Sequence, residues 1–294
     1  MKRCLACDHC YSSPGWRCPA CGVDPIGTRG WPSFAPELAD SNEGYDPERF
    51  GEILAFDAPH FLREARNELF TWALGRYFPG ASRFLEIGAG IGVVLAAFRA
   101  AYPRLEIWGT EIYDVGVAQI AENVEGVELF QADARALPFR GQFDVVAAFD
   151  TLEHIDDDEA VLRELHATLR PGGGILVSVP QHPWMWSARD EAVAHKRRYT
   201  RGELLGKLAT AGFETIRTTS FVTLPFPAMW WSAVRNRTLH AGYDPFAEFK
   251  IGAFPHAILR RVLACERGLL RLGVSFPVGG TLFAVARRGP DASR

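Results

Sequence analysis

The 294-residue sequence predicts an α/β fold built on a doubly wound, Rossmann-like parallel sheet of seven strands. First, the apolar run 83–87 leads into glycines at positions 88, 90 and 92, and a helix-forming run follows at 93–101. Second, short β-type runs alternate with helical runs farther along the chain, as in parallel βαβ units. Because glycines permit a sharp turn and close approach of a ligand, we expect a nucleotide-type cofactor at the carboxyl end of the first strand.

Composition and charge narrow the classes of protein. The formal net charge of −3 gives no general electrostatic attraction to nucleic acid. The sequence starts Met1-Lys2-Arg3-Cys4 and lacks the apolar core of a signal peptide. No run reaches the ~20 apolar residues of a spanning helix. We therefore expect a cytoplasmic protein.

Five of the six cysteines lie within the first 21 residues. Two CxxC pairs, formed by Cys4, Cys7, Cys18 and Cys21, have the spacing of a structural zinc site with four thiolate ligands. Cys10 offers a competing Cys7-x-x-Cys10 pair, and a redox or iron site is the alternative to zinc. Residues 1–30 are expected to form a zinc-ribbon-like module that is too small to build its own core.

Residues 31–80 are expected to hold a linker and N-terminal helices. The stretch 27–46 is rich in Gly, Pro and Ser with interspersed aromatic residues, and it is expected to pack on a neighbour. A helical pattern follows from 47 to 78, with Phe61, Ala65, Leu69 and Trp72 at three- and four-residue steps. This segment precedes the glycine turn and is placed to cover it.

The core of the fold is expected in residues 81–221 and 277–289. The sequence predicts seven strands there, at 83–87, 105–110, 127–131, 143–149, 174–179, 213–220 and 281–287. The helices that alternate with them are predicted at 93–101, 115–122, 158–169 and 201–211. Residues 170–173, Arg-Pro-Gly-Gly, are expected to stop the third of these helices.

A helical insertion at 222–276 separates the last two strands, with helices predicted at 228–239 and 254–272. It is aromatic and basic, with the pair Trp230-Trp231 next to Arg235 and Arg237. This composition suggests a hydrophobic acceptor or peripheral contact with a membrane surface, and the alternative is a lid packed on the core.

The stretch 86–92, Glu-Ile-Gly-Ala-Gly-Ile-Gly, resembles the first motif of class I S-adenosylmethionine-dependent methyltransferases. A dinucleotide fingerprint needs a third glycine at position 93, which is Val93 here. In the resembling family, Glu111 holds the ribose hydroxyls, Asp133-Ala134 meets the adenine, and Phe149-Asp150 lies beside the methionine part. The implied S-adenosylmethionine site comprises Glu86, Gly88, Ala89, Gly90, Gly92, Glu111, Ile112, Asp133, Ala134, Phe149, Asp150 and Arg66.

Within that family the chain resembles a bacterial group with an H-F-x-x-x-A-R-N segment, here residues 60–67, and a late segment at 180–200. Arg66 would reach the cofactor carboxylate by this resemblance. His195 and His154 are the candidate general bases, since histidine is the usual choice near neutral pH. Asp150, Glu153 and His154 also resemble the acidic-acidic-His cluster of quinone-type O-methyltransferases, where a divalent metal binds.

Aromatic and basic side chains of the late segment, Trp184, Trp186, Arg198 and Tyr199, either shape an acceptor pocket or pack a lid. The acceptor expected from these features is an oxygen or nitrogen of a small or lipid-like metabolite. Two alternatives stay open: an RNA methyltransferase, suggested by the zinc module ahead of the catalytic domain, and a non-catalytic scaffold that binds the cofactor. The oligomeric state is not indicated.

Overall fold

The computed structural model describes residues 1–25, 27, 29–40, 60–238 and 251–289. The described residues form nine strands: β1 (Lys2–Arg3), β2 (Cys10–Tyr11), β3 (Arg83–Ile87), β4 (Glu106–Glu111), β5 (Val127–Gln131), β6 (Phe143–Phe149), β7 (Leu169–Pro180), β8 (Phe213–Phe221) and β9 (Thr281–Arg288). Strands β1 and β2 pair as a small antiparallel ribbon. The other seven form one sheet in the order β5-β4-β3-β6-β7-β9-β8, which confirms the predicted seven-stranded core.

The prediction that the sheet is parallel holds for β3 to β7 and is wrong for β9, which runs antiparallel between β7 and β8. The direction of β9 follows from the place at which the insertion returns the chain to the sheet. Strand β8 ends at Phe221, which lies opposite Thr281, the first residue of β9. The chain therefore re-enters the sheet from the edge at which β8 left it, and the last strand must run the other way.

Eight α-helices occur in the described residues: α1 (Phe61–Tyr77), α2 (Val93–Ala101), α3 (Asp114–Asn123), α4 (Asp158–Thr168), α5 (Ala188–Ala192), α6 (Arg201–Thr210), α7 (Phe226–Arg235) and α8 (Ala253–Arg271). Strand residues alternate between the two helical layers, as the pleat requires. Phe84 and Val145 pack in a core with α1, α2 and α8, while Leu85 and Val146 pack in a second core with α4 and α6.

The structure shifts several predicted boundaries. The Arg-Pro-Gly-Gly stretch at 170–173 lies within β7, where the register with β6 slips, so it is an irregularity inside the strand rather than a connection before it. Helix α5 was not predicted, and the predicted helix 228–239 is the shorter α7. The predicted helical stretch before position 60 and the end of the predicted helix at 239 lie outside the described residues. No helix among the described residues is long and apolar enough to cross a membrane.

The N-terminal module packs directly on the core. Lys2 pairs with Phe139 as an antiparallel bridge, and the N–H of Arg3 donates to the carbonyl of Pro138 at 2.9 Å. The Trp16 ring stands edge-on to the rings of Phe139 and Phe34, with centroids 5.7 and 5.0 Å away. The module's own buried hydrophobic cluster is small, and these aromatic contacts attach the module to the core of the sheet.

Candidate functional site

The candidate site lies at the carboxyl ends of β3 and β6, where the strand order changes direction and open α/β sheets bind ligands. Gly88 has φ +60°, and a Cβ there would lie 2.4 Å from Cγ2 of Thr151. Gly90 has φ +58°, and a Cβ there would meet nothing within 4 Å. Gly88 is therefore required by packing against the loop after β6, whereas Gly90 leaves its backbone open to a ligand.

Glu111, the last residue of β4, is held against this turn. Its carboxylate accepts the N–H of Gly90 at 2.9 Å through Oε2 and the N–H of Ile112 at 2.8 Å through Oε1. Burial raises the pKa of Glu111, and the hydrogen bonds from the backbone oppose that rise. Glu111, the acid predicted to hold the ribose hydroxyls, thus lies beside the predicted glycine turn. Its Oε2 is 2.9 Å from the N atom of Gly90, the glycine whose backbone is open to a ligand.

Glu86 is 2% exposed, and its Oε2 has no hydrogen-bond partner within the described part of the chain. Burial raises the pKa of Glu86 well above its ordinary value; Arg66 opposes the rise and Glu111 adds to it. A buried, unpaired carboxyl group is costly. It becomes favourable when a cationic or hydrogen-bonding ligand lies against it, so this orphaned oxygen fits a cofactor that carries such a group.

Asp150 follows β6 in a left-handed conformation with φ +49°, a backbone that is strained for a non-glycine residue. Its carboxylate pairs with Arg66 of α1 at 2.5 Å and accepts the Ser178 hydroxyl at 2.8 Å. The Phe149 ring before it stacks on Phe70 at 3.9 Å between centroids. The structure thus brings the HFxxxARN segment to the strand end predicted to hold the methionine part.

Asp133 and Ala134 follow β5 at the same edge of the sheet. The Asp133 carboxylate binds the Arg135 guanidinium through two oxygens, with a shortest distance of 2.6 Å, and accepts the Arg135 N–H at 2.8 Å. These contacts hold the carboxylate in one orientation. Its predicted contact with the adenine amino group stays a prediction.

A tether segment, residues 31–39, joins the N-terminal module to this edge. The buried amide of Gln131 makes four hydrogen bonds: Oε1 accepts from the Ser33 hydroxyl and the Ala35 N–H, and Nε2 donates to the carbonyls of Ala35 and Ile112, at 2.8 to 3.1 Å. The N–H of Asp114 also donates to Ala39 O at 3.1 Å. The tether therefore braces the loop next to Glu111, a role that the sequence indicated only through its aromatic residues.

The loop after β7 is organised by Asp190, which is fully buried. Its Oδ1 lies 2.8 Å from Nδ1 of His195 and accepts from Nε of Arg198 at 2.8 Å. Burial raises the pKa of Asp190, but the hydrogen bonds from His195 and Arg198 outweigh it and lower that pKa to about 2. Asp190 therefore stays ionised, so the proton of a neutral His195 belongs on Nδ1 and the Nε2 lone pair remains an acceptor.

The two predicted histidines lie together, with ring centroids 4.8 Å apart. Burial, followed by the neighbouring His195, lowers the pKa of His154 to about 4. Glu153 is 0% exposed, and its pKa is raised well above its ordinary value by burial and by Asp150. Its Oε1 lies 3.9 Å from His195 Nε2, which is beyond hydrogen-bond range.

Donor atoms of Glu153, His154 and His195 all lie within 4.8 Å of one another. The cluster differs from the acidic-acidic-His set that the sequence suggested, because Asp150 is engaged with Arg66. Tyr199 is fully buried and donates its hydroxyl to Asp158 at 2.6 Å, so it packs the loop rather than lining an acceptor pocket.

In the N-terminal module, Cys4, Cys7, Cys18 and Cys21 have Sγ atoms within 4.8 Å of one another. Sγ distances are 3.5 Å for Cys4–Cys21 and 3.7 Å for Cys7–Cys18. Four thiolates at about 2.3 Å from one tetrahedral zinc ion lie about 3.8 Å from each other, so the cluster has the size of such a site. Cys10 is outside it and contacts the carbonyl of Asp8.

A family model described as a methyltransferase domain matches residues 54–218, more than half of the chain. The chain therefore belongs to this methyltransferase domain family, and the resemblance to class I S-adenosylmethionine-dependent methyltransferases is confirmed. S-adenosylmethionine is the cofactor that the family implies. The open backbone at Gly90 and the orphaned oxygen of Glu86 fit that group.

Curated relatives match over shorter regions. The ubiquinone biosynthesis O-methyltransferase of Aeromonas salmonicida is 32% identical over 129 residues, which are 42% of this chain and 52% of that protein. A ubiquinone/menaquinone biosynthesis C-methyltransferase of Desulfotalea psychrophila is 30% identical over 98 residues, 32% of this chain and 40% of that protein. The chain spans about half the length of the curated relatives it matches.

Solved structures share the fold at low identity. An S-adenosylmethionine-dependent methyltransferase of Thermotoga maritima is 17% identical, with a TM-score of 0.51, and covers 82% of this chain and 97% of its own. Phosphoethanolamine N-methyltransferase 2 of Haemonchus contortus, in complex with S-adenosylmethionine, is 18% identical with a TM-score of 0.51 and covers 76% and 53%. These likenesses concern the fold alone.

The tether yields a testable prediction. Gln131→Leu keeps the approximate volume but leaves the Ile112 carbonyl and two polar groups of Ala35 without their partner, each at a cost of about 1–3 kcal/mol. We expect the variant to bind S-adenosylmethionine about tenfold more weakly by isothermal titration, since the loop beside Glu111 loses its brace. Gln119→Leu on α3 is the matched control. An unchanged cofactor affinity in a folded Gln131→Leu protein would limit the tether to stability.

Proposed function

We propose that the chain transfers a methyl group from S-adenosylmethionine to an oxygen or nitrogen atom of a small or lipid-like metabolite. The observation that carries this proposal is the open backbone at Gly90, flanked by the buried carboxyl groups of Glu86 and Glu111. The nature of the acceptor is supported by the relative from Aeromonas salmonicida, whose name assigns it O-methylation in ubiquinone biosynthesis.

Three groups of residues hold the cofactor in this proposal. Glu111 accepts hydrogen bonds from the ribose hydroxyls, because a carboxylate has about four acceptor positions and the backbone fills only part of them. Asp133 and Ala134 contact the adenine. Arg66 and Asp150 hold the charged methionine end, for which a guanidinium and a carboxylate are complementary partners.

Bound S-adenosylmethionine supplies a methyl group that is already activated by the sulfonium. The protein then has to align the acceptor atom and keep water out. For a hydroxyl acceptor, a base must also take the proton. We assign this role to His195, since Asp190 fixes a proton on Nδ1 and leaves Nε2 to accept one.

His154 has a different part in this proposal. Because its pKa is lowered to about 4, it is neutral over the range in which methyl transfer would be measured. Its ring lies against that of His195. It therefore positions His195 by packing rather than exchanging a proton itself.

The four clustered cysteines are proposed to bind a structural zinc ion. Zinc would bind residues 1–30 into a rigid unit, and that unit packs on the core through Trp16. We further propose that residues 31–80, 81–221 with 277–289, and 222–276 act respectively as the tether with the N-terminal helices, the catalytic core and a lid.

The proposed reaction is tested by offering the purified full chain labelled S-adenosylmethionine with total RNA, a lipid extract or a polar metabolite extract. We expect label in one of the metabolite fractions. Gly90→Arg should abolish cofactor binding by titration, because it fills the open backbone face. Gly202→Arg on α6 is the matched control, since a Cβ there also meets nothing within 4 Å.

Other outcomes of that assay select the alternatives. Label in RNA alone would contradict the proposal of a metabolite acceptor and favour an RNA methyltransferase. Tight cofactor binding with no transfer to any fraction would favour the scaffold. Retained binding by Gly90→Arg would show that the cofactor site is misassigned.

His195→Asn is expected to lower kcat about 10²–10⁴-fold on a hydroxyl acceptor while the cofactor Kd stays the same. Asp190→Asn should also lower kcat, because it removes the ionised partner that fixes the His195 tautomer. His9→Asn, on the exposed surface of the module, is the control. If chelation abolishes activity and Mg²⁺ restores it, the Glu153–His154–His195 cluster binds a metal and His195 is not the base.

Metal analysis tests the cysteine cluster. We expect about one zinc ion per chain, lost in Cys18→Ser and retained in Cys10→Ser, because Cys18 belongs to the cluster and Cys10 does not. Cys18→Ser should also lower the melting temperature. Equal metal content in both variants would contradict the proposed ligand set.

A further inference from the structure

Helix α7 turns its apolar side outward. None of its ten residues is buried. Its exposed apolar residues, Pro227, Trp230, Trp231 and Val234, recur at i, i+3, i+4 and i+7, so they share one face of the helix. Trp231 is 65% exposed and Trp230 is 48% exposed. A helix of a globular protein normally directs such a face to the core, so this face is available to a partner.

The orientation of α7 is fixed by contacts on its other side. Met229 packs against the core that contains α1 and α8. At the end of the helix, the carbonyl of Asn236 accepts the N–H of Ala188 at 2.9 Å. Because both positions are tied to the body of the protein, the tryptophans are directed outward by the fold.

The apolar surface continues into the loop after β7. Trp184 is 58% exposed, and its ring stands edge-on to that of Phe226, the first residue of α7, with centroids 6.1 Å apart. We call Trp184 together with the outer face of α7 the tryptophan surface. It adjoins the loop that carries His195, which is the acceptor side of the proposed site.

The stretch that carries the outer face of α7 is basic in sequence. Residues 221–238 contain Arg235 and Arg237 and no acidic residue, although the whole chain has a net charge of −3. Helix α8 adds little to this charge, because its Arg260 pairs with Glu64 at 3.0 Å and its buried Arg267 pairs with Glu68 at 2.8 Å. The positive charge next to the tryptophans is therefore that of Arg235 and Arg237, which are both exposed.

We propose that the tryptophan surface binds the interface of an anionic lipid bilayer. Tryptophan has an apolar ring system and one N–H donor, and it is favoured where hydrocarbon meets headgroups. The guanidinium groups of Arg235 and Arg237 match lipid phosphates in charge and geometry. The helix lies on the bilayer, and the acceptor side of the site faces the lipid surface.

The test uses the full chain and vesicles of phosphatidylcholine, with or without phosphatidylglycerol. We expect co-sedimentation with the anionic vesicles, weakened by added salt because exposed charges are screened. The double variant Trp230→Ala/Trp231→Ala should bind at least about tenfold more weakly, since it removes the rings that enter the interface. Arg235→Gln/Arg237→Gln should weaken binding and reduce its salt dependence.

The control is Leu272→Ala, which removes an apolar side chain that is 83% exposed outside the tryptophan surface and should leave vesicle binding unchanged. Titration with S-adenosylmethionine checks that each variant is folded. Vesicle binding is measured without an acceptor, so failure of the proposed reaction does not affect this test.

Two results would overturn the proposal. The first is an unaltered vesicle affinity in the double tryptophan variant, or no binding of the wild-type chain to anionic vesicles. The second is concentration-dependent self-association of the wild-type chain that the same tryptophan variant abolishes. In that case the surface is an interface between two copies of the chain.

Discussion

The carboxylate of Glu111 is the contact on which the glycine turn depends. It receives the N–H groups of Gly90 and Ile112, so one side chain fixes both the glycine turn after β3 and the loop after β4. Thr151 closes the other side of the turn, where it leaves no room for a Cβ on Gly88. Packing and hydrogen bonds from neighbouring residues thus hold the turn in place, and the backbone at Gly90 is the part of the turn that stays open.

A second buried acid organises the loop after β7 in the same manner. Asp190 gathers His195 and Arg198 from one loop and keeps its charge because these donors outweigh the effect of burial. Glu153 lies nearby and has no such donor among the described residues, and burial raises its pKa instead. Two carboxyl groups near His195 therefore have pKa values shifted in opposite directions, because their hydrogen-bond partners differ.

Two additions, the N-terminal cysteine module and the insertion before β9, contact different parts of the core. The cysteine module is joined to the loop after β4 through the tether and the buried amide of Gln131. The insertion places α7 next to the loop that carries His195, with Met229 directed inward and the tryptophans outward. One addition thus contacts the loop after β4, and the other lies next to the loop after β7.

The sequence by itself determined the seven strands, the glycine turn and the two CxxC pairs, because periodicity, glycine spacing and CxxC pairs act over short distances. Only the tertiary structure decided that Cys10 lies outside the cysteine cluster, which glycine leaves its backbone open, that Asp190 is the partner of His195, and that Tyr199 is buried on Asp158. These facts depend on residues far apart in the chain, such as Gly88 with Thr151 or Ser33 with Gln131. A local sequence pattern does not show whether a given polar side chain will be buried, since its burial is set by the packing of other elements.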